Sequence, residues 1–205
     1  RSTLFPYTTL FRSLFIEVNL TGYWFLDEPE WEPPRELAEF LDAGPAPVYV
    51  GFGSMVPKDA EMTELVVRTA LRLAGVRGIV QGDPATSDER VLAVRDVPHS
   101  WLFPRMAAVV HHGGAGTTAA GLRAGAPTVV CPSFGDQPYW GERVGSLRAG
   151  PAPLPFRAMT VPRLAARIRR AVQDQGMAER ASELGRRIRD EDGVGQALKI
   201  IDSLL

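Results

Sequence analysis

The sequence predicts an α/β fold built on a doubly wound parallel sheet. Three observations carry that expectation. Short segments such as Val48-Tyr49-Val50-Gly51-Phe52, Val91–Val94 and Ala107–His111 are apolar throughout instead of on alternate residues, as strands buried on both faces are. Segments of helical periodicity stand between them, the order that crossover helices on a parallel sheet require. Glycine and proline together make up 37 of 205 residues, and several of the glycines fall directly after a strand, where the chain must turn sharply.

The elements follow in order. Residues 1–13, RSTLFPYTTLFRS, neither alternate nor show a helical face, and Thr3 to Ser13 resembles the translation of a sequencing-library adapter. They are set aside as an artefactual or disordered N-terminus. Residues 14–46 read as an interdomain linker and short helix: between Leu14 and Asp42 eight acidic residues face the single Arg35, and Pro29, Pro33 and Pro34 lead into a helix over Arg35–Leu41 that Gly44 stops. Residues 47–205 form the domain proper. The strand Val48–Phe52 runs into Gly53-Ser54, and a helix over about Asp59–Leu73 follows, with Met62, Leu65, Val66, Thr69 and Leu73 on its apolar face. Strands are expected at Gly78–Gln81, Val91–Val94, Ala107–His111 and Thr128–Cys131, with a helix over Gly116–Ala124 ending at Gly125 and another from about Gln137. The C-terminal stretch is helical, with Thr160 as N-cap and Pro162 just inside the first turn.

Composition narrows the function. A net charge of −1 gives no overall basic field to recruit nucleic acid, so any anion site must be local. One cysteine, Cys131, cannot form an internal disulfide, which fits a reducing compartment. No apolar run approaches the roughly 18 residues of a membrane span and no signal-peptide layout opens the chain. The expectation is a cytoplasmic protein with neither stable membrane insertion nor a nucleic-acid partner.

The chemistry is concentrated in Val109-Val110-His111-His112-Gly113-Gly114-Ala115-Gly116-Thr117-Thr118, a strand running into a glycine-rich turn and then a helix. Such a turn brings free backbone N–H groups and the positive end of a helix dipole to one point, where an anion can sit without a cluster of lysines. Gly113, Gly114 and Gly116 lack the Cβ atoms that would keep a phosphate away, and Thr117 and Thr118 offer hydroxyls. A second lean loop, Gly51 to Met55, and a third, Cys131 to Pro138, also follow strands, and such loops share one rim of a parallel sheet. Asp136 and Gln137 suit a polyol, one accepting and the other both donating and accepting hydrogen bonds, and Asp136 also reads as a helix N-cap. His111 and His112 are consecutive in a strand, so their side chains point to opposite faces. They are poorly placed to chelate one metal, no Asp-X-Asp pair stands at a strand end, and His111→Ala is expected to be silent where His112→Ala is not. Trp101, Phe103 and Trp140 either close the cleft and stack on a base or belong to the core.

The segments Asp96 to Pro104, His111 to Thr118, Gly121 to Gly125 and Pro132 to Trp140 together resemble the C-terminal domain of GT-B glycosyltransferases. The likeness is nearest to sterol glucosyltransferase-like enzymes and antibiotic (macrolide and glycopeptide) glycosyltransferases. It implies a Rossmann-like domain, the C-terminal half of a GT-B fold, that binds a UDP- or dTDP-sugar without a metal ion or other cofactor. In that family the residue matching His112, with the stretch matching Gly113, Gly114, Ala115, Gly116 and Thr117, holds the diphosphate. The loop matching Gly53 and Ser54 closes over the phosphates, the backbone near Val97 and His99 holds the base, and the pair matching Asp136 and Gln137 binds the sugar hydroxyls. Plant members carry a tryptophan and a ribose-binding glutamate where Asp96 and Ala120 stand here. The family's general base lies in an N-terminal domain, so the resemblance assigns this chain no catalytic residue and implies that the chain alone is inactive, the lipophilic acceptor meeting the donor through a missing domain. Two other readings are a free-standing nucleotide-sugar-binding module and another GT-B enzyme, such as a GlcNAc transferase or an epimerase.

Overall fold

The structure is a computed structural model that describes residues 18–26, 31–53 and 59–204; the N-terminal stretch 1–13 and Ser54 lie outside the described residues. Five strands, β1 (Val48–Gly51), β2 (Gly78–Gln81), β3 (Val91–Val94), β4 (Ala108–His111) and β5 (Thr128–Val130), form one parallel sheet in the order β3-β2-β1-β4-β5. The chain therefore winds outward from β1 through β2 to β3, then crosses back to lay β4 and β5 on the other side of β1. The helices are α1 (Arg35–Asp42), α2 (Ala60–Ala74), α3 (His99–Leu102), α4 (Ala115–Ala124), α5 (Gln137–Ser146), α6 (Val161–Gln173), α7 (Gln175–Arg189) and α8 (Gly193–Asp202).

Alternation within the strands builds two cores. Val48, Val50, Val80, Val91, Ala93, Ala108, Val110 and Val129 face a cluster completed by Val67, Ala70 and Leu71 of α2 and Leu164, Ala165 and Ile168 of α6. Tyr49, Ile79, Leu92 and Val109 face the opposite cluster with Leu37 of α1, Leu102 of α3 and Phe103. Burial of both faces explains why the strand residues read as continuous apolar runs.

Local signals set the helix ends. Asp59 caps α2, its Oδ1 accepting from the Met62 N–H at 2.9 Å, and α4 ends at Gly125 in the left-handed conformation that residues with a Cβ avoid. Thr160 occupies the N-cap position of α6 but makes no capping bond through its side chain. Asp174 separates α6 from α7 and restarts the helix, its Oδ1 accepting from the Met177 N–H at 3.0 Å.

The apolar face expected for α2 is displaced. Val67, Ala70 and Leu71 are buried, whereas Met62, Leu65 and Leu73 are 53, 58 and 52% exposed. With Ala74 the buried set is spaced i, i+3, i+4, i+7 and rich in small side chains, which let α2 lie close against α6. Choosing the larger side chains picks the neighbouring stripe.

The chain divides into two compact units, Asp27–Arg186, which holds the sheet, and Arg187–Leu205 with Arg1–Leu26. In the second, Asp192 caps α8 by accepting from the Gly195 N–H at 2.9 Å, and a Cβ at Gly193 would lie 2.3 Å from the Tyr23 carbonyl oxygen, so the 22–23 segment runs against the start of that helix. Among the described residues no helix is long and apolar enough to cross a membrane.

Candidate functional site

In a doubly wound sheet the reversal of strand order opens a crevice at the carboxyl ends of the two strands that flank it. Here those strands are β1 and β4, paired in register with Gly51 opposite His111. Beyond that pair the two strands part, β1 toward Phe52-Gly53 and β4 toward His112-Gly113-Gly114 and the first turn of α4.

The three loops singled out by sequence meet there. A Cβ at Gly53 would lie 3.0 Å from His112 Cε1, and one at Gly114 would lie 2.6 Å from His112 Nε2. The His112 ring thus sits in a slot between two glycine backbones. Gly113 has φ +94°, and a Cβ on it would lie 2.7 Å from Val130 Cγ1 and 3.0 Å from the Gln137 carbonyl oxygen, so the turn needs glycine both for its conformation and for its approach to the β5 loop. Gln81, at the end of β2, holds the β1 loop by accepting from the Gly53 N–H at 3.1 Å. A cleft of about 510 Å³ opens on this rim between Phe52-Gly53, the start of α2 and Gln81–Asp83, with Arg95 and Asp96 beside it.

The N-cap residue of α4 is Gly114, which brings no capping side chain of its own. The backbone N–H groups of Ala115, Gly116 and Thr117 occupy the first turn, where helices supply no internal acceptor. Thr118 offers less than its sequence implies: its hydroxyl donates to the Gly114 carbonyl at 2.9 Å and is spent within the helix.

His112 is half-buried, and among the described residues its Nδ1 has no hydrogen-bond partner. Burial lowers its pKa below 6.5, with the Asp136 carboxylate opposing the shift, so the free imidazole is neutral at neutral pH. His111 is fully buried. Its Nδ1 accepts from the Gly113 N–H at 2.9 Å, and burial, reinforced by the charges of His112 and His99, pushes its pKa down to about 3. The two rings are 6.2 Å apart and nearly perpendicular, as strand alternation requires.

On the β5 loop Gln137 is buried and its Oε1 accepts from the N–H groups of Ser133 at 2.8 Å and Phe134 at 3.2 Å, so its amide oxygen shapes the loop. Asp136 is exposed and does not cap α5. It sits in the right-handed helical region at φ −84°, ψ −8° instead of the extended conformation of an N-cap, which carries its carboxylate along the helix to accept from Trp140 Nε1 at 2.8 Å. Val97 is partly buried and packs its side chain on the second core cluster. His99 begins α3 and stacks on Phe103, centroids 4.2 Å apart, with Tyr49 edge-on at 5.8 Å. Phe103 and Trp140 are core residues, and Trp101 packs between Trp31 and the Arg105 guanidinium. Among the described residues no group of three or more His, Cys, Asp or Glu could hold a metal ion.

A family model described as Erythromycin biosynthesis protein CIII-like, C-terminal domain, matches residues 81–192, more than half of the chain. The chain belongs to that family. As a CIII-like C-terminal domain it is 44% identical over 191 residues to a sterol 3-beta-glucosyltransferase of Arabidopsis thaliana, covering 89% of this chain and 30% of that protein. It is 41% identical over 195 residues to O-mycaminosyltylonolide 6-deoxyallosyltransferase of Streptomyces fradiae, covering 91% of this chain and 44% of the relative. The CIII-like domain thus spans less than half the length of these curated relatives. Among solved structures it is similar to the glycotransferase of kitacinnamycin, with TM-score 0.69 and 26% identity over 90% of this chain and 48% of that one. The expectation of a GT-B C-terminal half is met in both sequence and fold.

Three contributors escaped sequence reasoning. Gln81 stands at a strand end, the one hint of its bond to Gly53. Trp140 lies four residues after Asp136, one helical turn on, and His111 lies two before Gly113, the separation of a local side-chain-to-backbone bond.

Proposed function

We propose that this chain is the donor-binding half of an inverting glycosyltransferase that moves a hexose from a UDP- or dTDP-sugar to a lipophilic hydroxyl acceptor. One observation carries the reading: Gly53, His112–Gly114 and Gln137 converge from three loops on the switch point of the sheet, with glycine backbones pressed on His112 and the α4 N-terminus beside it. His112 and the amides of Gly114, Ala115, Gly116 and Thr117 hold the diphosphate, on a turn shaped by Gly113, whose own N–H is given to His111 Nδ1. Gly53 approaches from the β1 side, the backbone of Val97 and His99 takes the base, and Asp136 meets the sugar hydroxyls from a loop that Gln137 shapes. Backbone donors and a neutral imidazole supply the anion site, so no divalent ion is needed. The sterol- and macrolide-modifying relatives support a lipophilic acceptor, which a further domain would present together with the general base.

Titration calorimetry with UDP, dTDP, UDP-glucose and UDP-GlcNAc, each with and without a chelator, tests the proposal. UDP or dTDP should bind in the chelator, and UDP-glucose should compete better than UDP-GlcNAc. Affinity lost on chelation, or no binding of either nucleotide, overturns it.

A further inference from the structure

The histidine that alternation turns away from the site has a task of its own. His111 Nδ1 accepts from the Gly113 N–H at 2.9 Å, and Gly113 is the residue at φ +94° on which the turn pivots. We propose that His111 is the positioning residue of the anion-binding turn: by holding the Gly113 amide inward it fixes the direction in which His112 and the first-turn amides of α4 face. The inference rests on the reading of that turn as the diphosphate site and assigns the residue that shapes it.

Two observations support this. The ring is fully buried, and among the described residues its Nε2 has no hydrogen-bond partner and the bond at Nδ1 is its one polar tie. An acceptor at Nδ1 also requires the neutral tautomer protonated at Nε2, because a proton on Nδ1 would set two donors against each other. The low pKa of about 3 keeps that acceptor in place across any working pH. Without the bond, a buried Gly113 N–H would be left unpaired at the centre of the turn, and the turn would reorient to satisfy it. The silence expected of His111→Ala does not follow from this geometry.

Asparagine is the informative replacement, because its side-chain oxygen can accept from the N–H two residues on, as in an Asx-turn. Phenylalanine keeps the ring and loses the acceptor. The test measures UDP affinity by calorimetry and thermal stability for the native chain, H111F and H111N, together with the ¹⁵N shifts of the His111 ring in the native protein. H111F should bind UDP at least tenfold more weakly, and H111N should recover most of that loss even where its melting temperature is no higher than that of H111F. The ¹⁵N shifts should show Nδ1 bare and Nε2 protonated. A proton on Nδ1 overturns the proposal, as does unchanged UDP affinity in H111F, or equal losses in two folded variants. If H111F does not fold, the tautomer and H111N decide. If the native chain binds no UDP, the donor-site reading falls, while the tautomer still decides the hydrogen bond.

Discussion

Gly116→Ala sets stability against ligand binding at a single atom. Gly116 lies in the first turn of α4, its φ is not positive, and a Cβ there would meet nothing within 4 Å among the described residues. In the free protein alanine therefore adds no clash and restrains the unfolded chain, a gain of about 0.5–1 kcal/mol. For a domain of this size that raises the melting temperature by about 1–4 °C. The same open space is where the proposed diphosphate approaches the helix N-terminus. A methyl group there displaces one charge-assisted hydrogen bond, worth about 1.5–3 kcal/mol, a roughly ten- to hundredfold loss of UDP affinity. Thermal unfolding and UDP calorimetry on the same preparation read both effects. A more stable variant that binds UDP as tightly as the native chain would refute the placement of the diphosphate at α4.

His112→Ala should weaken UDP binding by about 1.5–3 kcal/mol. Because the free imidazole titrates below 6.5 and a bound anion raises that pKa, UDP affinity should strengthen as pH falls below neutrality; calorimetry across pH should show this dependence reduced in His112→Ala. His111 titrates at about 3 when folded against 6.5 when unfolded, so the unfolded chain binds the extra proton. Its stabilisation is complete above 6.5 and is lost as pH falls toward 3, and urea midpoints measured over that window should fall less steeply for H111N than for the native chain. Gln137→Ala leaves the Ser133 and Phe134 amides without their acceptor and should cost about 1–3 kcal/mol of stability, whereas Asp136→Ala, at an exposed position, should weaken UDP-sugar binding by about 1 kcal/mol and leave UDP nearly unchanged. Equal losses for UDP and UDP-sugar in Asp136→Ala would assign that residue a structural role alone.

What was legible in the sequence depended on what lies nearby along it. The strands could be read because both faces of each are buried, and the ends of α2 and α4 because Asp59 and Gly125 act within one turn. The meeting of the Gly53, His112 and Gln137 loops was legible at longer range, since a parallel sheet places all such loops on one rim. The side chains that failed are those whose partner the pattern leaves undetermined. The buried stripe of α2 is chosen by α6, a hundred residues on. Asp136 had two partners within reach, its own helix N-terminus and Trp140, and the backbone angle decided for the second. Thr118 likewise turned to the Gly114 carbonyl instead of outward, and the bond from the Gly113 N–H to His111, whose side chain alternation correctly sets on the face opposite His112, is one that alternation alone does not specify.

The strand order β3-β2-β1-β4-β5 also bears on how the chain is made. β1 finds one neighbour, β2, soon after it is synthesised, but its other neighbour, β4, begins at Ala108, 57 residues after Gly51. At about 5–20 residues per second that is a wait of roughly 3–11 s. Throughout it, the edge of Val48-Tyr49-Val50 offers unpaired N–H and C=O groups flanked by apolar side chains, the kind of edge on which other chains add strands. The central strand of the finished sheet is thus an outer one on the ribosome, and the arrival of β4, the strand that carries His111, ends its exposure to aggregation.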